Sequence, residues 1–352
     1  MPLVTEHSIK IKAELPKIVS QEMEVFYNPL MISNRNISIT LLNSIENTEM
    51  NIADPLAGSG IRSLRFLKEL KKGKIKHLYV NDMNEVFLKA FQDNAKLNKV
   101  KLNKNQVSLF NKEANLFMQE QIGFDYIEID PFGSPNPFLA AAVARISREG
   151  IIAITATDTA ALTGTYPSVT KRKYWATTSK NYLMHELGLR ILIRKIQLQG
   201  VQFDKALIPV LAYHKDHYFR VYVQNQKGKD NCDDLLKQHQ YFLFCPKCLN
   251  FKTSIYNKEK CKCGTEFNFH GPLWIGRLFD NNLLQKMVSE NPFVEEQHFL
   301  DLLLEESSSS QVGFVDVHEV ARIQKKNPPR MEDALKKYKG VRTHFTVHGI
   351  KV

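Results

Sequence analysis

Disulfide chemistry and membrane passage are what this sequence is least equipped for. Its 352 residues include five cysteines, and four of them crowd between positions 245 and 263 instead of spreading into a stapling framework. No stretch reaches the roughly 18 consecutive apolar residues that a membrane-spanning helix needs. The first 17 residues mix Glu6 and Glu14 with Lys10 and Lys12 and lack the apolar core of a signal peptide. The expected setting is the cytoplasm, with no membrane. Negative charge is also short: 37 Asp and Glu against 48 Lys and Arg leave a formal charge of +11. Such an excess attracts polyphosphate and says nothing about fold. The excess is grouped. Residues 171–205 carry eight Lys or Arg against two acids, and residues 311–352 carry nine against four, whereas residues 281–310 hold one Lys and six acids. Grouped positive charge is the footprint of a nucleic-acid partner.

From residue 51 to about 226 the chain reads as alternating strand and helix. Apolar runs at 50–54, 77–82, 107–113, 126–130 and 151–157 predict strands, and 61–70 and 85–97 have helical apolar spacing. This alternation implies a parallel sheet covered by helices. Residues 206–212 and 218–223 break it: they are joined by His214-Lys215-Asp216-His217, too short for a crossover helix, and predict an antiparallel hairpin. The expected fold is α/β, a class I, Rossmann-like methyltransferase sheet with an antiparallel last strand. The polar stretch Gln224 to Asp230 reads as a linker, dividing a catalytic domain (1–228) from a smaller α+β C-terminal domain (229–352). The run Ser307 to Ser310 reads as a surface loop.

Three motifs carry chemistry. In Asp54-Pro55-Leu56-Ala57-Gly58-Ser59-Gly60-Ile61-Arg62, a strand delivers Asp54, and Gly58 and Gly60 allow a sharp turn into a helix. Such a pair alone fits a structural loop equally well. Asp82, at the end of the next strand, is the acid that would accept ribose hydroxyls and points to a nucleoside. Ser63 stands where a pyrophosphate-binding fingerprint wants its third glycine. S-adenosylmethionine, with a carboxylate tail for the helix start near Arg62 and no phosphate, therefore fits better than a dinucleotide. Arg65 follows one helical turn on, where an ordinary surface arginine is the alternative.

The second motif is Asp130-Pro131-Phe132-Gly133. A base amine is a weak nucleophile because its lone pair is delocalised into the ring. It improves when two acceptors take its N–H bonds and aim the lone pair at an electrophile. Asp130 and the carbonyl of Pro131 can be those acceptors, and Phe132 can stack the base. A base inside a duplex would first have to be flipped out. The third motif is Cys245-Pro246-Lys247-Cys248, twelve residues, then Cys261-Lys262-Cys263-Gly264. Four thiolates in two close pairs suit tetrahedral zinc with no open position, hence a structural site.

With these in view, the sequence resembles the archaeal and eukaryotic tRNA guanine-26 N2-dimethyltransferases, the Trm1 family. Phe26-Tyr27-Asn28-Pro29 with Asn34-Arg35, preceded by Glu22-Met23-Glu24, resembles the family's N-terminal signature. Lys112-Glu113-Ala114-Asn115 falls in the family's order between Asp82 and Asp130. Lys326-Asn327-Pro328-Pro329, Arg342-Thr343-His344-Phe345 and His348-Gly349-Ile350-Lys351 resemble its C-terminal segment. The resemblance implies that Arg35, Arg62 and Arg65 hold the carboxylate tail of S-adenosylmethionine, that Asp82 binds its ribose, and that Glu113 and Ala114 meet its adenine. Asp130 and Phe132 would hold the guanine. The cysteine cluster and the basic residues 325–342 would grip tRNA beside Lys171-Arg172-Lys173, with no protein partner required. Two rivals stand beside this reading: a methyltransferase of another exocyclic base amine in RNA, and a zinc-dependent RNA-binding protein without activity.

Overall fold

A computed structural model describes residues 2–14 and 25–352; Glu22, Met23 and Glu24 of the N-terminal motif lie outside the described residues. The chain forms two compact units, residues 1–155 with 289–296, and residues 156–288 with 297–352.

The first unit opens with a hairpin, β1 (Leu3–Glu6) and β2 (Ile9–Lys12), followed by α1 (Ile32–Ser44). Strand–helix pairs follow: β3 (Met50–Asp54) with α2 (Ile61–Glu69), β4 (Ile75–Asn81) with α3 (Phe87–Leu97), and β5 (Val107–Phe110) with α4 (Ala114–Glu120). Then come β6 (Phe124–Ile129), α5 (Asn136–Arg145) and β7 (Ile146–Ala156). The strands pair in parallel, β3 with β4 and β6, β4 with β5, and β6 with β7. Ile52, Ile127, Ile129, Ile152 and Ile154 are wholly buried, as parallel strands covered on both faces must be. Phe87, Phe91 and Ala95 of α3 recur every four residues and are buried together. The β1–β2 hairpin is tied to α3 by side chains: the backbone N–H groups of Lys10 and Lys12 donate to Asn98 (2.7 Å) and Asn94 (2.8 Å).

The second unit contains α6 (Thr159–Leu162), α7 (Pro167–Tyr174), α8 (Met184–Val201), β8 (Lys205–Lys215), β9 (Tyr218–Lys227) and α9 (Lys229–Lys237). A three-stranded sheet of β10 (His239–Phe244), β11 (Phe251–Ser254) and β12 (Asn268–Trp274) has β10 at its centre. Beyond α10 (Asn281–Ser289) and α11 (Val294–Glu306), β13 (Val315–Asp316), α12 (Val317–Gln324), α13 (Met331–Tyr338), β14 (Val341–Thr343) and β15 (Thr346–Lys351) complete the chain. The last strand ends on a buried lysine: Lys351 Nζ donates to Glu186 (2.8 Å), which also accepts from Arg190 (2.9 Å).

The main sheet has the order β5-β4-β3-β6-β7-β9-β8, and β8 and β9 are antiparallel to one another, so one of them opposes the parallel five. This is the mixed sheet that the alternation and hairpin predict.

Several boundaries differ from the sequence-based expectation. The third strand stops at Phe110 and not at 113, because the Glu113 side chain turns back to cap α4 by accepting from Leu116 N–H (2.9 Å). The fifth begins at Ile146, earlier than expected. The hairpin turn is tighter than the polar stretch 214–217, since Lys215 pairs directly with Tyr218 and leaves two residues, with Asp216 at a φ of 50°. Residues 224–230 are no open linker: β9 continues to Lys227, and Gly228 leads at once into α9. Ser307 is buried and its hydroxyl donates to the Leu304 carbonyl, so this serine finishes α11 instead of standing in solvent.

Candidate active site

The chain runs outward from β3 through β4 to β5 and then resumes on the other side with β6 and β7. This makes the carboxyl ends of β3 and β6 the switch point at which open α/β sheets bind ligands. A cavity of about 610 Å³ lies there. Arg35, Gly58, Arg62, Asp82, Asp130, Pro131 and Phe132 line it, together with Asp54 and the Phe26-Tyr27-Asn28 segment. Gly60, Arg65, Glu113 and Ala114 are absent from the lining.

The turn after β3 shows why the glycines stand where they do. Gly58 has a φ of 54° and offers its N–H to Asp82 (2.7 Å). Gly60 has a φ of 73°, and a Cβ there would lie 2.1 Å from the Phe91 ring. Close helix packing is therefore the demand on Gly60, and at Gly58 the demand is the left-handed backbone, with the Phe26 ring 3.1 Å from where a Cβ would stand. Asp82 also accepts from Asn84 N–H (2.9 Å). Burial raises its carboxyl, against the two N–H groups that lower it. Each oxygen keeps a lone pair for a further donor. Asn81, which the sequence reading passed over, knits the strand ends: its amide donates to Pro55 O and Lys112 O (both 3.0 Å) and accepts from Lys112 N–H (3.0 Å).

Arg62 is the hub on the other side. Nη2 donates to Asp130 (2.5 Å) and Asn34 (2.9 Å), Nη1 donates to Ser38 (3.0 Å), and Glu128 stands 3.5 Å away, accepting from the Tyr126 hydroxyl (2.8 Å). Beneath it, burial pushes Asp54 up to about 7, and Glu128 and Asp130 add to the rise against Arg62 and the Ser63 hydroxyl. Asp130 is thereby fixed at the cavity wall beside Phe132, which is 39% exposed and meets Phe26 edge-on at 4.4 Å. A partly open ring beside a fixed carboxylate is suited to stacking a planar base.

Arg35 and Arg65 are both buried, which rules out the surface-arginine alternative for Arg65, and both converge on Glu6. Arg35 Nε and Nη2 donate to the two Glu6 oxygens (2.7 and 2.5 Å), Arg65 Nη1 donates to one of them (2.8 Å), and the Tyr27 hydroxyl donates to the other (2.9 Å). Burial alone would raise the Glu6 carboxyl; Arg35 and then Arg65 overcome it and hold it at about 2. Arg65 also grips Glu69 (2.8 Å). Its role here is to brace Glu6, which in turn sets Arg35 at the cavity.

In the second unit, the Sγ atoms of Cys245, Cys248, Cys261 and Cys263 all lie within 4.8 Å of one another. The pairs Cys245–Cys263 and Cys248–Cys261 are 3.5 Å apart, too far for a disulfide of about 2.05 Å. They are close to the roughly 3.8 Å that separates sulfurs around a tetrahedral ion with bonds of about 2.3 Å. The four cysteines could hold a metal ion. Among the described residues no helix is long and apolar enough to cross a membrane.

A mixed seven-stranded sheet, a glycine turn facing an acid at the next strand end, and an Asp-Pro-Phe wall at the switch point define a class I, S-adenosylmethionine-dependent methyltransferase. The particular family is equally plain. Residues 6–352 match the model of the N2,N2-dimethylguanosine tRNA methyltransferases, and the chain belongs to that family. It is 37% identical to the tRNA (guanine(26)-N(2)/guanine(27)-N(2))-dimethyltransferase of Aquifex aeolicus, over 100% of this chain and 93% of that one. It is 36% identical to the tRNA (guanine(26)-N(2))-dimethyltransferase of Methanocaldococcus jannaschii, over 95% and 90%. The structure of Trm1 from Pyrococcus horikoshii in complex with S-adenosylmethionine superposes with a TM-score of 0.87 at 31% identity, covering 100% of this chain and 96% of that one.

Proposed function

We propose that this enzyme methylates the exocyclic N2 of guanosine 26 in tRNA, twice, in the cytoplasm. The observation that carries the reading is the joint presence in one cavity of Asp82, Arg35, Arg62 and the Asp130-Pro131-Phe132 wall. Bound S-adenosylmethionine supplies an electrophilic methyl on sulfur. Arg35 and Arg62 hold its carboxylate, with Arg65 acting through Glu6, and Asp82 accepts its ribose hydroxyls. Ala114, first residue of α4, has an N–H that the helix leaves unused for the adenine edge, while Glu113 must share its carboxylate with the cap of α4. Asp130 and the Pro131 carbonyl accept the two amine N–H bonds and Phe132 stacks the extruded base. The amine becomes strongly acidic once alkylated, so its proton leaves by way of the Asp130 carboxylate to water after transfer. Asp130 therefore aims a lone pair and needs no tuning as a base.

The functional division falls at residue 228, with 1–228 catalytic and 229–352 binding tRNA through the cysteine sheet and the basic residues 325–342. Zinc at Cys245, Cys248, Cys261 and Cys263 fills its shell with four thiolates and is structural. Chelation is expected to release one zinc per chain, to lower the melting temperature by several degrees, and to weaken tRNA binding while calorimetric affinity for S-adenosylmethionine is kept. An apo protein that melts and binds tRNA like the untreated one would remove the metal from this account.

The function itself is tested by methyl transfer to tRNA transcripts carrying guanosine or adenosine at position 26. Because the Aquifex aeolicus relative is named for positions 26 and 27, a third transcript changes position 27. Labelling should vanish with the change at 26; equal labelling of the first two transcripts would overturn the site assignment. Failure to bind S-adenosylmethionine would favour an inactive RNA-binding protein.

A further inference from the structure

Trp175 is the least economical residue of the second unit. It caps α7 in the left-handed region, φ 55° and ψ 37°, where a bulky side chain is rare. Its N–H donates to Lys171 O (3.2 Å), and its carbonyl accepts from Arg194 Nη1 (3.3 Å). Strain of this kind is normally repaid by burial, yet the indole is 51% exposed. One face is taken: Lys195 Nζ lies 3.0 Å from a ring centroid, reaching up from α8. With Lys195 against the ring, about half of the residue's surface still faces solvent.

Its surroundings are cationic. Lys171 and Arg172 are exposed on the last turn of α7, and Lys180 is exposed just beyond. Burial, with Arg194 adding to it, pushes Lys195 down to about 8, so an anion brought near would be welcome. Two residues after the tryptophan, Thr177 and Gly271 exchange backbone hydrogen bonds (2.8 and 2.7 Å), which joins this segment to β12 of the cysteine-bearing sheet. On that sheet Phe269, 36% exposed, meets Tyr241 edge-on at 5.9 Å. Open aromatic faces interleaved with Lys and Arg are how proteins track unpaired nucleotides, the bases stacking and the phosphates meeting the cations. A protein-binding patch would instead be depleted of lysine.

We propose that Trp175 is a stacking platform for an unpaired base of tRNA, backed by Lys195 and flanked by phosphate contacts from Lys171 and Arg172. This rests on the tRNA reading above and adds to it a contact residue away from the cavity. It positions the substrate and takes no part in methyl transfer.

The chain has two tryptophans, and Trp274 is 4% exposed, so emission that responds to RNA reports mainly on Trp175. Adding unmodified tRNA transcript to the full chain should quench that emission. Trp175→Phe should lose most of the quench and keep the tRNA Kd within about threefold. Trp175→Gly, well suited to a φ of 55°, should keep the melting temperature and the affinity for S-adenosylmethionine while weakening tRNA binding about tenfold or more. The salt dependence of binding should be unchanged in Trp175→Gly, whereas Lys171→Ala and Arg172→Ala should each lower the log–log salt slope by about 1. A Trp175→Gly protein that binds tRNA as the parent does, or a parent emission blind to tRNA, overturns the platform. Methylation of tRNA by the parent, assayed alongside, keeps the two levels apart: with it intact only the platform falls, and with tRNA neither bound nor methylated both fall.

Discussion

Asp130→Ala is expected to slow methyl transfer on the order of 100- to 1000-fold while S-adenosylmethionine binds as before or somewhat more tightly. Both halves follow from Arg62. Asp130 is one of several anchors on that guanidinium, and its loss leaves Asn34, Ser38 and Glu128 to hold the side chain. Relieved of one carboxylate, Arg62 has more positive potential to offer a bound carboxylate tail. The base amine, in contrast, loses the acceptor that orients it, and its lone pair returns to the ring. Single-turnover transfer with saturating tRNA reads the first effect and calorimetry the second. Asp130→Asn is a sharper control: an amide keeps one acceptor oxygen, but its NH₂ can accept from neither Arg62 nor the substrate amine, so the two donors must compete for that oxygen and most of the rate should still be lost. Collapse of cofactor affinity in either variant would make Asp130 part of the cofactor site and would refute its role as substrate acceptor.

What could be read from the sequence was the chemistry that is crowded in sequence. Gly58 and Asp82 declare themselves through the strand-turn-helix frame around them, Asp130 through the Pro and Phe that follow it, and the cysteines through their own spacing. Residues that act on these from a distance carry no such mark. Asn34 and Ser38 reach Arg62 across 28 and 24 residues of chain, and Glu6 reaches Arg65 across 59. Nothing local in Ile32–Ser44 distinguishes the buried Asn34, Arg35, Asn36 and Ser38 from solvated ones, because a helix buried on nearly all sides has no polar face for contrast. The same blindness hides the packing demand on Gly60, since the Phe91 ring that excludes a side chain there lies 31 positions on. Motif spacing identifies groups that meet a ligand; the groups that hold them still are defined by the folded chain alone.

Glu6 is the strongest case of such a holder, and Glu6→Ala is expected to cost about 3–5 kcal/mol of stability together with much of the affinity for S-adenosylmethionine. The carboxylate is 2% exposed and stands between two buried guanidiniums and the Tyr27 hydroxyl. Among the described residues, removing it leaves Arg35 with the Asn28 carbonyl (3.2 Å) and the Tyr27 ring face (5.3 Å), and leaves Arg65 with Glu69 and the Phe293 ring. Two cations of like sign then face each other in a poorly solvated space, and Arg35 has no reason to remain at the cavity wall. The pH dependence has a definite sign. Folding lowers Glu6 from its ordinary 4.5 to about 2, so its contribution is complete above about pH 4.5 and is lost as pH falls from there through 2. A shift of that size corresponds to about 3 kcal/mol, and it should be missing from the acid limb of the unfolding curve of Glu6→Gln, which keeps the shape and discards the charge. Denaturant unfolding of the parent and both variants at pH 7 and pH 4, with calorimetric titration of S-adenosylmethionine at pH 7, measures both effects. If Glu6→Gln unfolded and bound like the parent, Arg35 would be held by its other contacts, and the β1–β2 hairpin would be a cover for the sheet with no part in positioning the cofactor's carboxylate.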